Sequence, residues 1–241
     1  MANPYFNFKE FSIRHDKCAM KVTTDACVFG AYVANEISSK SNIETALDIG
    51  TGTSLLSQMI AQSTDFLIDA IELDKNAFTQ AVENNSASPF GKKINIINGD
   101  ARTFSYEKSY DLIFSNPPFY EQDLKSPNTQ KNLAHHDEGL LLDDLADIIS
   151  MQLKPSGQFF ILLPFKREAE AIALFSNHEL VTEKVLRVRP TTASPYSRSI
   201  ISGRRQHLAS DVIVHEEMAI QENNQYTDSA MELLKSYYLF L

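Results

Sequence analysis

Residues 46–56 read ALDIGTGTSLL, and this stretch decides the fold. An apolar run carries Asp48 near its end, Gly50 and Gly52 follow one residue apart, and an apolar helical pattern opens at Leu55. The pattern is that of a strand turning into a helix. The chain has only eight glycines in 241 residues, about half the usual share of ~7%. Two of them at one turn mark a place where the backbone bends tightly and a ligand can approach the helix N-terminus. A dinucleotide-binding fingerprint would need a third glycine where Leu55 stands, so a nicotinamide cofactor is disfavoured. Asp48 agrees, because its carboxylate would repel a pyrophosphate and suits a cationic or amine-bearing ligand.

Outward from this turn, β-like runs alternate with helical patterns. Strands are expected at 45–49, 66–73, 94–97, 110–115 and 158–163, and helices at 55–62, 75–86, 141–153 and 166–175, with Pro155 and Gly157 stopping the third helix. Such alternation implies right-handed βαβ units in a parallel sheet covered on both faces. Strands at 180–188, 198–203 and 212–215 follow without helices between them, which predicts an antiparallel edge, and a last helix is expected over 228–238. The fold class is α/β, a doubly wound, mostly parallel, seven-stranded sheet. Nothing in the chain reads as a repeat or linker, so one domain over residues 1–241 is expected.

Three acids stand at successive expected strand ends. Glu72 and Asp74 close IDAIELD about twenty residues after the glycines, where a carboxylate accepts hydrogen bonds from both ribose hydroxyls. Glu72 is the better placed, and Asp74 can instead cap the next helix. Asp100, in INGDAR, can receive an adenine amino group. Together they outline a nucleoside pocket at the carboxyl ends of parallel strands. The fourth strand runs into Asn116, Pro117, Pro118 and Phe119, in DLIFSNPPFY. Consecutive prolines fix the backbone and leave rigid carbonyl acceptors. The Asn116 side-chain oxygen and the Pro117 carbonyl could accept the two hydrogens of an NH₂ on a planar group while Phe119 stacks on its ring, a contact worth about 1–3 kcal/mol for a base. The long polar loop that follows, through Glu138, exceeds the ~12–15 residues usual for a plain connection and is read as a lid.

Composition is that of a globular protein, with 43% hydrophobic residues. The longest apolar run is far short of the ~20 residues of a membrane helix, and the N-terminus has no apolar signal core, so a soluble, cytoplasmic protein is expected. Cys18 and Cys27 are too few for a disulfide framework or a structural zinc site and read as reduced core thiols, and no metal is expected. The net charge of −9 argues against a nucleic-acid partner, yet Lys184, Arg187, Arg189, Arg198, Arg204 and Arg205 fall in a stretch with no acid. Such a stripe can bind phosphates locally, since screening confines the repulsion of the acidic body to about 8 Å. It can equally be the outward face of a strand.

DIGTG, IELD, GDAR and NPPF, in this order and spacing, resemble class I S-adenosylmethionine-dependent methyltransferases that act on amino groups. FNFKEFSIRHDKCAMKVTTDACVFGAYV at 6–33, HHDE at 135–138 and RVRPTTASPYSRSIISGRR at 187–205 extend the resemblance over nearly the whole chain to the tRNA1(Val) adenine-37 N6-methyltransferase family. The resemblance implies S-adenosylmethionine as cofactor, with Asp48, Gly50 and Gly52 around its methionine part, Glu72 at the ribose, and Asp100 and Ala101 at the adenine. It implies that residues 1–40 close over the cofactor through Lys21, Thr23, Thr24 and Asp25, although Lys21 can equally be a solvated charge and Asp25 a helix cap. Asn116, Pro117 and Phe119 become the catalytic set. His135, His136 and Asp137 read as solvated loop. The implied substrate is tRNA, with Arg187, Arg189, Arg198, Arg204 and Arg205 on its phosphates and no obligate protein partner. One departure is Ser54, where many relatives carry another glycine; serine costs little there unless the turn needs a positive φ. Rival readings are a glutamine-amide methyltransferase acting on a release factor, for which the N-terminal segment is short, a DNA adenine methyltransferase, and a non-catalytic RNA- or cofactor-binding module.

Overall fold

The computed structural model describes residues 3–18, 20–38, 40, 42–118, 140–205 and 212–241. The expected lid, with Phe119, His135, His136 and Asp137, lies outside the described residues. The chain opens with a hairpin, β1 (Tyr5–Asn7) and β2 (Ser12–Arg14), followed by helix α1 (Thr24–Ile37). Then β3 (Thr45–Ile49), α2 (Leu55–Ser63), β4 (Leu67–Glu72), α3 (Lys75–Ala87), β5 (Ile94–Asn98) and β6 (Tyr110–Ser115) alternate as expected. The second half comprises α4 (Leu142–Gln152), β7 (Leu153–Pro164), α5 (Glu168–Asn177), β8 (Leu180–Thr191), β9 (Arg198–Arg205), β10 (Val214–Glu222), β11 (Gln225–Tyr226) and α6 (Asp228–Leu234).

Apart from the hairpin, the strands form one sheet in the order β11-β10-β8-β9-β7-β6-β3-β4-β5. It has nine strands where a seven-stranded sheet is expected: the strand foreseen at 212–215 is β10, carried on to Glu222, and β11 is a further strand that pairs with it. The antiparallel part also differs from expectation. β9 lies inside the sheet between β7 and β8, antiparallel to both, whereas β10 runs parallel to β8 and only β11 turns back. Pro155 and Gly157 fall within β7, which begins at Leu153, and the last helix ends at Leu234.

Side chains alternate across the sheet, as a pleated strand requires. Phe114, Phe160 and Leu162 point into one core with Phe29, Val33 and Met59 of α1 and α2, while Ile113, Phe159 and Ile161 point into the other with Leu145, Ile149 and Phe175 of α4 and α5. Both faces are dry, which accounts for the near-continuous apolar run of β7. The chain ends meet. The Lys9 amide donates to the Tyr237 carbonyl at 2.8 Å, Phe8 forms a bridge with Tyr238, and the Phe6 and Tyr238 rings lie 5.4 Å apart. Cys27 is buried as expected, but Cys18 is only half-buried, and both are free thiols. No helix among the described residues is long and apolar enough to cross a membrane.

Candidate active site

The parallel strands β5, β4, β3 and β6 lie side by side and end together, and the order reverses between β3 and β6. Ligands of open α/β sheets sit in the crevice outside such a reversal. Asp48, Glu72, Asp100 and Asn116 come from these four strand ends. The Gly50 and Thr51 amides donate to the Ile71 carbonyl at 2.9 and 3.1 Å, and the Ser115 hydroxyl donates to the Ile49 carbonyl at 2.6 Å. These bonds tie the floor of the crevice across β4, β3 and β6.

Gly50 and Gly52 take φ of 71° and 58°, and a Cβ added to either would meet no atom within 4 Å. The turn therefore needs left-handed backbone and leaves its outer side open to a ligand. Ser54 shares this geometry with φ 67°, so the serine stands where glycine would be unstrained, and its buried hydroxyl has no partner among the described residues.

Asp48 is fully buried. One carboxylate oxygen accepts from the hydroxyls of Thr51 and Ser57 at 2.6 and 2.7 Å; the other, Oδ1, is buried without a partner among the described residues. Burial pushes its carboxyl up to about 6, Thr51 and Ser57 pull the other way, and the nearby Glu72 charge adds to the rise. An unpartnered buried carboxylate oxygen beside a second acid is a receptor for a cationic group, which fits a ligand bearing an ammonium and a sulfonium. Thr51 and Ser57 were not singled out from the sequence; a hydroxyl three and nine residues after a buried acid is the only signal.

Glu72 is half-buried and braces the turn. Oε2 accepts from the Gly52 amide and Oε1 from the Asp74 amide, both at 2.8 Å. Each oxygen keeps a second lone pair for a ribose hydroxyl. Asp74 is the cap of α3, accepting from the Asn76 and Ala77 amides. Asp100 is not open as expected. Arg102 grips both of its oxygens at 2.7–3.1 Å, and these hydrogen bonds hold its carboxyl below the usual range. The Ala101 carbonyl accepts from the Tyr106 hydroxyl at 2.9 Å. Asn116 is half-buried, Pro117 buried and Pro118 exposed.

The N-terminal segment packs against α3 and the glycine turn beside this crevice. Asn84 of α3 holds the Arg14 amide and carbonyl and also the Thr53 carbonyl, each at 2.9 Å, so one amide side chain joins β2, α3 and the glycine turn. Glu72 and Asp74 act on Cys18, whose thiol burial and these charges push up to about 11. Asp25, at the start of α1, pairs with Arg198 at 2.8 Å. Lys21 is exposed, Thr23 caps α1, and Thr24 is half-buried at its first turn.

The basic stretch does not form one stripe. Arg198 lies level with Pro164 at the crevice end of β7, but Arg204, six residues further along the extended β9, lies level with Gln158 in mid-strand, about 20 Å back from the crevice. Most of its charges are already matched: Lys184 by Glu36 and Glu216, Arg187 by Glu168, Arg198 by Asp25 and Arg204 by Glu183. Arg205 donates to the Ser150 carbonyl. Arg204 and Arg205 thus stand away from Asn116, whereas Arg187 and Arg198 lie toward the crevice end of β8 and β9.

Residues 30–185 match the methyltransferase small domain family. The chain is 40% identical to a tRNA1(Val) (adenine(37)-N6)-methyltransferase of Dyadobacter fermentans, covering 98% of each. It is 37% identical to the protein of that name from Christiangramia forsetii, over 100% of both. Among solved structures, a predicted O-methyltransferase from Agrobacterium tumefaciens aligns with TM-score 0.66 at 13% identity, covering 87% of this chain and 95% of that one. A putative class I S-adenosylmethionine-dependent methyltransferase from Listeria monocytogenes aligns with TM-score 0.62 at 14% identity, over 83% and 68%. These two likenesses give the fold, a Rossmann-like class I methyltransferase sheet. On the full-length identity, the chain belongs to the tRNA1(Val) (adenine(37)-N6)-methyltransferase family and carries its methyltransferase small domain.

Proposed function

We propose that this chain methylates the exocyclic N6 of an adenine in tRNA, with S-adenosylmethionine as donor, and that the target is the adenine its relatives are named for, position 37 of tRNA1(Val). The observation that carries the reading is the adjacency of two strand ends across the sheet reversal: the open glycine turn over a buried, unpartnered Asp48 oxygen on β3, and Asn116-Pro117 on β6. Residues 1–241 act as one methyltransferase domain in the cytoplasm, with residues 1–40 closing over the cofactor.

When bound, S-adenosylmethionine supplies an electrophilic methyl group on a positively charged sulfur. Asp48 faces its cationic methionine part, with Gly50 and Gly52 allowing close backbone approach. Glu72 takes the ribose hydroxyls on its remaining lone pairs. Asp100, still fixed by Arg102, and Ala101 border the adenine. Lys21 and Thr24 belong to the covering segment.

The adenine amino group is a poor nucleophile because its lone pair is delocalised into the ring. The Asn116 oxygen and the Pro117 carbonyl accept its two hydrogens and favour a pyramidal nitrogen whose lone pair points at the methyl. These acceptors gain most as positive charge develops on nitrogen, so they stabilise the transition state more than the ground state. Asn116 and Pro117 would also hold the amino nitrogen in position for the transfer, which adds to this. The methylated ammonium loses its proton readily, and no strong base is required. Phe119 is assigned the stacking face. The target base must leave its stack, which costs least in a single-stranded loop. Arg187, Arg189 and Arg198, at the crevice end of β8 and β9, hold flanking RNA.

Labelled methyl transfer into tRNA from a strain lacking this protein, followed by nucleoside analysis, tests the reading. N6-methyladenosine is expected, and Asn116→Ala should lower kcat by at least a hundredfold, the scale of losing one transition-state hydrogen bond, while cofactor affinity stays within a few-fold. Label that appears only in a release-factor control would reassign the substrate to a glutamine amide.

A further inference from the structure

Two aromatic rings at the crevice end of the sheet belong to neither hydrophobic core. Phe165 directly follows β7, and Tyr196 lies in the turn between β8 and β9. Their ring centroids are 5.2 Å apart at 49°, and the Phe165 amide donates to the Ser197 carbonyl at 3.1 Å, which fixes the two segments together. Each ring carries a guanidinium: Arg187 lies 5.8 Å from the Phe165 centroid and Arg189 lies 5.5 Å from that of Tyr196. Arg187 is immobilised by Glu168 at 2.7 Å. Arg189 has no ion pair among the described residues, and its Nε has no hydrogen-bond partner.

The position is informative. Ile161 of β7 is level with Ser115 of β6, the residue before Asn116. Phe165 is four residues further on, which places the ring pair about 13 Å past that level along the strand and one strand aside. The rings therefore flank the crevice on the side away from Glu72 and Asp100.

We propose that Phe165 and Tyr196, with Arg187 and Arg189, form a stacking site for a nucleobase of the substrate RNA that neighbours the methyl acceptor. The inference rests on the tRNA reading above. Aromatic faces backed by guanidinium groups are how proteins take splayed, unstacked bases, because every base offers a π-face and a linked phosphate for the cation. Arg187, spent on Glu168, fixes the platform, and Arg189 supplies the unmatched charge. When the acceptor adenine is extruded its neighbour loses a stacking partner, and the ring pair replaces it.

The test uses the full chain and an anticodon stem-loop RNA. Tyr196→Leu keeps apolar bulk but removes the π-face. It should raise KM for the RNA between about five- and a hundredfold, with kcat at saturating RNA and S-adenosylmethionine affinity within twofold of wild type, and Tyr196→Phe should restore KM. In parallel, 2-aminopurine beside the acceptor should be quenched by wild type and not by Tyr196→Leu. An unchanged KM and undiminished quenching in the Leu variant, with wild type active, would overturn the stacking site alone. Equal losses in RNA and cofactor affinity would make Tyr196 a structural residue and overturn it too. A wild-type protein that neither methylates nor binds the RNA would overturn the tRNA reading itself.

Discussion

At the scale of single residues, Asp48 and Ser54 each hold a cost that the fold does not recover by itself. The Asp48 carboxyl keeps its proton up to about pH 6 in the folded protein, above its ordinary value of 3.8. A raised folded-state pKa favours the folded state below the unfolded value, and that advantage is lost as pH rises through the folded one. The cofactor-free protein should therefore lose stability between about pH 4 and 6 by ~2–3 kcal/mol. Asp48→Asn should flatten that slope in urea denaturation at pH 4.5 and 7.5 and weaken cofactor binding; a retained slope would place its origin elsewhere. Ser54→Gly should raise the urea midpoint without changing the slope m, since it removes about 1–2 kcal/mol of left-handed strain and a buried unpartnered hydroxyl, against about 0.5–1 kcal/mol of added chain entropy. A lower midpoint would show that the turn is not strained. The sequence displayed Asp48, Gly50, Gly52 and Glu72 at their turn because backbone demands leave a mark in residue type. It did not display that Asp100 is occupied by Arg102, since which way a carboxylate turns depends on the rotamer of a neighbour.

At the scale of elements, the first half of the sheet was legible to within a residue or two. Each strand there is a short apolar run and each helix begins at a definite signal, such as Asp74 before α3. The second half was less so. Pro155 and Gly157 look like a loop but are carried inside β7 at an irregular register with β6. β10 was read as four residues where nine are paired, because Glu216, Glu217 and Gln221 break the apolar pattern of an outer strand. Asn84 shows what element-level reading misses entirely. It is a polar residue buried in the last turn of α3, and its three bonds fasten the N-terminal hairpin and the glycine turn to one helix. Asn84→Ala leaves the Arg14 amide and two carbonyls without that partner and should cost about 1–3 kcal/mol. It should also raise the cofactor Kd, measured by calorimetry; loss of stability with unchanged cofactor affinity would separate the hairpin from the crevice.

At the scale of the whole molecule, charge is arranged by topology rather than by sequence order. Six basic residues in one stretch suggested one RNA-facing stripe, but an extended strand carries Arg204 about 20 Å from Arg198, level with mid-β7 and away from the crevice. Replacing Arg204 and Arg205 by Ala should leave the salt dependence of tRNA binding unchanged, whereas Arg189→Ala should reduce the slope of log K against log salt by about one unit. A fall in slope from the first pair would put RNA across the far end of the sheet. The clasp between Lys9 and Tyr237, and between Phe8 and Tyr238, sets a condition on biosynthesis. A chain emerging from the ribosome begins folding from its N-terminal side, yet the hairpin's contact with Tyr237 and Tyr238 must wait for the residues that follow α6. Asn84 can fasten the hairpin to α3 and the glycine turn as soon as α3 is made, so the N-terminal segment is secured in two steps, early by α3 and late by the residues after α6.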